Sequence, residues 1–241
     1  MNESIAVTLG LGFALGLKHA TEADHLAAVS TIVSERRSLV RAAAVGALWG
    51  AGHTASLVVA GFMVIVMGVA IPEWMSNWLE LGVAAMIVAL AGRLLYVVLR
   101  HQRRAHLHTH THDGATHAHF HFHDARGAHS VAVSHHGPHA GLTGWRPLLV
   151  GVIHGLAGSA ALTLLVLTEV SRNGGTVLGL AYLAVFGAGS VGGMMIMSCL
   201  IGLPFRLMGM FERALFPMRL LAGLGSAVFG LAYAWNIVGK L

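Results

Sequence analysis

Long apolar runs, separated by short polar connections, set the pattern of this chain. Ala42–Ala70, Leu81–Leu99, Leu148–Thr168, Val177–Leu203 and Leu220–Val238 are uncharged or nearly so, and each reaches about the 17 to 25 residues that cross roughly 30 Å of hydrocarbon. A sixth run, Ile5–Val33, has the length but carries Lys18, His19, Glu22, Asp24 and His25 in its interior. It ends at the basic stretch Glu35–Arg41. The pattern predicts an all-α integral membrane protein with six transmembrane helices and a long polar loop between the third and fourth.

Composition sharpens this picture. Charged residues make up 10% of the chain and hydrophobic residues 56%, whereas soluble domains carry roughly 25% charge. Cys199 is the single cysteine, which excludes an internal disulfide and a thiolate cluster. The opening "MNES" has no cationic region, so no signal peptide is expected. The arginines matter by position. Arg36, Arg37 and Arg41 follow the first run, Arg100, Arg103, Arg104, Arg126 and Arg146 follow the third, and Arg206, Arg213 and Arg219 follow the fifth. The alternate connections hold only Arg172. The positive-inside rule then puts both termini outside and the three basic loops in the cytoplasm. Orientation accounts for the basic residues, so the lipid bilayer is the expected partner and nucleic acid is not.

The two ends of the chain echo each other. "GLKH" at Gly16–His19 recurs as "GVIH" at Gly151–His154, and "WGAGHT" at Trp49–Thr54 as "FGAGSV" at Phe186–Val191, at offsets of 135 and 137 residues. "GRLLYVV" from Gly92 has a weaker echo in "GLAYAWNIV" from Gly230. Residues 1–100 and 145–241 are thus expected to be two three-helix repeats of inverted topology around a loop at 101–144. Transporters built this way place their substrate near the midplane between repeats.

The candidate chemistry lies inside the apolar runs. His19, His53 and Ser190 are near the middle of the first, second and fifth runs, and His154 is about two turns into the fourth. A central ionisable residue costs roughly 2.5 to 3.5 kcal/mol even on lenient insertion scales, and it faces a cavity or a partner. At 100° per residue Asp24 lies about 140° and His25 about 240° around a regular helix from His19. Either these residues have separate roles or the helix is interrupted, and 29 residues would make about 43 Å of helix, longer than the core. Lys18 and Glu22 have the i, i+4 spacing of a self-neutralising pair. Imidazole and carboxylate without thiolate suit a divalent transition ion such as Ni²⁺, Co²⁺ or Zn²⁺. The metal ligands expected from these positions are His19, Asp24, His25 and His53, with Glu22, His154 and Ser190 as weaker candidates.

"HATEADH" at His19–His25 resembles the His, four residues, Asp-His signature of the bacterial nickel/cobalt transporter family. "GHT" at Gly52–Thr54 resembles its Gly-His-Ser/Thr element. The length and "HGLAGSAAL" from His154 resemble its short members, the urease-accessory nickel permeases and nickel-cobalt efflux proteins. The resemblance implies that His19, Asp24 and His25 are needed for transport of Ni²⁺ or Co²⁺ as substrate, in a bacterial cytoplasmic (inner) membrane, with no prosthetic group. A Phe-Asp-rich element of the longer members has no acidic counterpart here before Glu169.

Thirteen of the 17 histidines fall between His101 and His139, in "HLHTHTH" and "HAHFHFH". His106, His108, His110, His112, His117, His119, His121 and His123 form a compositional metal-binding tract, expected to be cytoplasmic and disordered without metal. "MMIM" at Met194–Met197 fills packing gaps. Arg93 snorkels, and Tyr182, Trp74, Trp78 and Trp235 belong to interfacial belts. Transport is the first function these features predict, with uptake slightly favoured because inward movement of a divalent ion gains about 4.6 kcal/mol per 100 mV. Two alternatives remain open. One is an intramembrane zinc-dependent hydrolase, although "HEXXH" is absent. The other is a membrane accessory factor that hands metal to metallochaperones of urease or hydrogenase maturation.

Overall fold

The computed structural model describes residues 2–35, 38–68, 72–102, 105–112, 115–122, 144–156, 159–208 and 212–241. Its elements are α1 (Asn2–His19), α2 (Ala23–Val33), α3 (Leu39–Met67), α4 (Glu73–Gln102), β1 (Ala105–His112), β2 (Ala115–Phe122), α5 (Arg146–Gly155), α6 (Ser159–Leu207) and α7 (Glu212–Val238). Among the described residues, four stretches are long and apolar enough to cross a membrane: Leu39–Met67, Glu73–Arg100, Gly174–Leu207 and Leu215–Val238. The pair α1 and α2, bent by 55° at a short break, provides a fifth when taken as one span. The chain is therefore a multi-pass, helical membrane protein.

The first apolar run is interrupted. Thr21 ends α1 by turning its hydroxyl onto the Lys18 carbonyl at 2.6 Å, while its own N–H bonds the same oxygen at 2.9 Å. Glu22 is extended (φ −65°, ψ 149°) at the N-cap of α2. Asp24, in the first turn, accepts the otherwise unpaired N–H of His25 at 2.8 Å, as helix N-termini favour for anions. The fourth apolar run, expected as one helix over Leu148–Thr168, is also divided. α5 begins with Pro147 in its first turn and stops at Gly155, and α6 starts at Ser159 and is broken in turn at Gly175, whose φ of 80° is open to glycine.

Helices meet through glycines in two matched interfaces. A methyl built on Gly16 of α1 would strike the Phe186 carbonyl oxygen of α6 and come within 2.9 Å of the Ser190 nitrogen. One built on Gly151 of α5 would strike the Trp49 carbonyl oxygen of α3 and come within 2.9 Å of the His53 nitrogen. Gly189 abuts the Phe13 carbonyl just as Gly52 abuts that of Leu148. With so little side chain between them, the backbones approach closely. α7 holds α2 through polar contacts: Ser226 donates to the Ala27 carbonyl at 2.9 Å and Arg219 Nε to that of Ser34 at 3.1 Å.

Several expectations change. Tyr182 is buried against Leu57, Leu183 and Phe186 rather than in an interfacial belt, because it faces Gly12 across the α1–α6 contact. Trp74, Trp78 and Trp235 are exposed. Arg93 reaches Glu35 at 3.5 Å. Met194 fills the core beside Trp49. In the histidine tract, β1 and β2 pair antiparallel where disorder was expected, with His106, His108 and His110 at register positions opposite His121, His119 and His117. Alternating Thr, Phe and His suit a strand. His123 lies outside the described residues.

Candidate metal centre

Every histidine outside the polar loop converges on one spot. His19 ends α1, His25 is in the first turn of α2, His53 is in mid α3 and His154 is in the last turn of α5. All four are buried, at 4%, 1%, 0% and 0% exposure. Ring centroids are 4.5 Å apart for His19 and His25, 4.9 Å for His19 and His53, and 4.2 Å for His25 and His154. The angular discrepancy of the sequence is resolved by the break: His19 precedes it and Asp24 and His25 follow it, so the 55° bend returns both to the same place.

Two groups of three donors emerge, His19 with His25 and His53, and Asp24 with His25 and His154. Within each group the candidate ligand atoms lie no more than 4.8 Å apart. Donors bound at about 2.1 Å to one ion are at most about 4.2 Å from each other, so either group closes on an ion with small side-chain movements.

The hydrogen bonds assign the imidazole protons. A carboxylate only accepts, so His154 Nε2 donates to Asp24 Oδ2 at 3.0 Å and His25 Nδ1 donates to Asp24 Oδ1 at 2.9 Å. His19 Nδ1 lies 3.1 Å from Glu22 Oε1 as an ion pair. His19 Nε2 faces His53 Nε2 at 2.9 Å, and His25 Nε2 has a lone pair and no hydrogen-bond partner among the described residues. A carboxylate on the far nitrogen of a ligating histidine fixes its tautomer and raises its basicity. Glu22 and Asp24 stand in that relation to His19 and His25. Asp24 itself, with three donors around it, is a partly buried charge whose oxygens are well supplied.

The backbone adds to the field. α1 and α5 both end at the cluster, and a helix C-terminus carries about half a negative charge, a device also seen where broken helices hold cations. α2 begins at the same place, and Asp24 in its first turn offsets the positive end of that helix.

Of the weaker candidates, His154 is inside the cluster. Glu22 borders it with its side chain 45% exposed; it pairs with His19 and not with Lys18, because α1 has ended before it. Ser190 is buried but turned to the Gly16 carbonyl at 3.4 Å, outside both groups. Trp49 was not anticipated as part of the site: its indole stacks on His25 at 5.5 Å and forms a wall. It lies four residues before His53, hence on the same face of α3, and this spacing was the available signal.

Comparison with known proteins points the same way. Residues 5–221 match the family described as high-affinity nickel-transport protein, NicO. The chain is 36% identical over 229 residues to the urease accessory protein UreH of Bacillus sp. (strain TB-90), covering 95% of this chain and 91% of that protein. No solved structure matches it.

Proposed function

Because the chain belongs to the NicO family of high-affinity nickel-transport proteins, and is a transporter rather than an enzyme, we propose that its ion passes through the buried histidine centre. His19, His25 and His53, with Asp24 and His154, hold Ni²⁺ by imidazole and carboxylate donors. The observation that carries this reading is that four histidines from four helices, and no others outside the loop, converge at two helix C-termini. Co²⁺ suits the same donors and is the second ion proposed. The hydrolase reading falls with membership of a transporter family.

The matched glycine contacts, Gly16 on Phe186 and Ser190 against Gly151 on Trp49 and His53, support two inverted repeats, residues 1–100 and 145–241, moving against each other around the centre. With the divided fourth run, α5 and the part of α6 before Gly175, taken as a sixth crossing, the arginine distribution supports both termini outside a bacterial cytoplasmic membrane and a cytoplasmic histidine tract. His106, His108, His110, His112, His117, His119, His121 and His123 bind metal there and exchange it with metallochaperones. The name of the UreH relative supports a link to urease supply. Uptake is the favoured direction, since an inside-negative potential alone drives a divalent cation inward.

Flux of labelled nickel into proteoliposomes tests this. An inside-negative potential of 100 mV is worth about 4.6 kcal/mol for a doubly charged ion, so accumulation should rise by up to about 2,000-fold at equilibrium. Nickel bound without potential-driven flux would instead identify a metal-delivering accessory factor. Glu22→Gln keeps the shape of the side chain beside His19 but removes its charge, and is expected to raise the half-saturating nickel concentration by up to about tenfold with little change in maximal flux. An equal loss in both would place Glu22 among the ligands.

A further inference from the structure

We propose that the centre holds its ion in two successive positions sharing His25, one completed by His19 and His53 and the other by Asp24 and His154, and that passage between them changes the side from which the ion is accessible. This rests on the transport reading above.

The first support is the division of donors into two groups of three with His25 common to both. His25 offers its partnerless Nε2 to His19 and His53, while its Nδ1 lies 2.9 Å from Asp24, whose other oxygen meets His154. Because His25 Nδ1 and His154 Nε2 carry the protons donated to Asp24, transfer to the second position requires each ring to pass its proton to its other nitrogen: His25 releases the ion from Nε2, which takes up the proton as Nδ1 is freed to bind, and His154 moves its proton to Nδ1. Two doubly charged ions at such close range repel strongly in a dry interior, so the positions are filled in turn.

The second support is symmetry. His19 and His154 close the matching segments "GLKH" and "GVIH", end α1 and α5, and follow glycines that make the same backbone contacts. Each belongs to a different group of donors. If the two halves exchange conformations as access alternates, the His19 position and the His154 position exchange roles with them. The surroundings differ in the direction this requires: half-exposed Glu22 borders His19, whereas His154 is sealed at 1% exposure.

The test uses the full-length protein in proteoliposomes, labelled nickel and an external chelator. Nickel outside the centre, on the histidine tract included, is stripped, and nickel enclosed in the centre is retained. Wild type should show both retention and flux. His154→Gln should retain nickel within about twofold of wild type while flux falls at least tenfold, because the ion is stranded beside His19. His53→Gln should instead lose retention and raise the half-saturating concentration at least tenfold. His154→Ala, which leaves Asp24 with its two bonds from His25, should behave as His154→Gln and carries the test if that variant does not fold. If the His53 and His154 variants lose retention alike, one position with five donors replaces two and the proposal is overturned. Absence of both retention and flux in wild type would defeat the transport reading itself.

Discussion

His25→Gln is expected to abolish nickel flux while leaving the protein folded. His25 is the one side chain common to both donor groups, so its loss weakens every arrangement in which the centre could grip an ion. Losing an outer-shell partner of a metal ligand typically costs 10- to 100-fold, and loss of a ligand shared by both groups should exceed the upper figure. Glutamine fills much of the volume against Trp49 and offers a hydrogen bond to Asp24, so the partly buried carboxylate is not left uncompensated, the usual reason such substitutions unfold a protein. The measurement is initial flux in proteoliposomes normalised to monodisperse protein. Flux within a few-fold of wild type in a correctly reconstituted variant would mean that the ion takes another route.

Gly16→Leu and Gly151→Leu are each expected to prevent recovery of folded protein, although neither residue touches an ion. Their Cβ positions are already occupied by carbonyl oxygens of the facing helix, those of Phe186 and Trp49. Overpacking an ordinary core costs about 1–3 kcal/mol because side chains can shift. Here the struck atom is backbone, and relief requires the helices to separate by more than a methyl radius. Separation at Gly151 would also pull His154 away from Asp24, and separation at Gly16 would pull His19 away from His53. Gly10→Ala and Gly92→Ala provide the comparison, since nothing lies within 4 Å of a methyl at either; they should be neutral or stabilising by about 0.5–1 kcal/mol in a helix interior. Size-exclusion profiles and thermal unfolding in detergent decide the matter. Gly16 and Gly151 variants as stable as Gly10→Ala would show that the interfaces are looser than drawn.

Much of the molecule could be read from residue order because the bilayer acts on each residue separately. An apolar side chain is favoured in hydrocarbon whatever its neighbours, so the runs over Ala42–Ala70, Leu81–Leu99, Val177–Leu203 and Leu220–Val238 map directly onto α3, α4, the later part of α6, and α7. The same locality made "HATEADH" conspicuous, since ionisable groups at that depth must have a use, and its likeness to the nickel/cobalt transporters led to the right family. Other features lay beyond that reach. Hydropathy could not show that α5 stops at Gly155, because a broken apolar run and a continuous one are equally hydrophobic. Nor could it pair His154 with Asp24, residues separated by 130 positions, or turn Ser190 away from the cluster and Trp49 onto it. Those outcomes depend on which helices pack together and at what separation. Between helices already in lipid, no hydrophobic force chooses partners, and the choice falls to close contacts of small residues such as Gly16 on Ser190 and Gly151 on His53. The donors can be named from the order of the residues; their meeting point is set by glycines that bring distant backbones within touching distance.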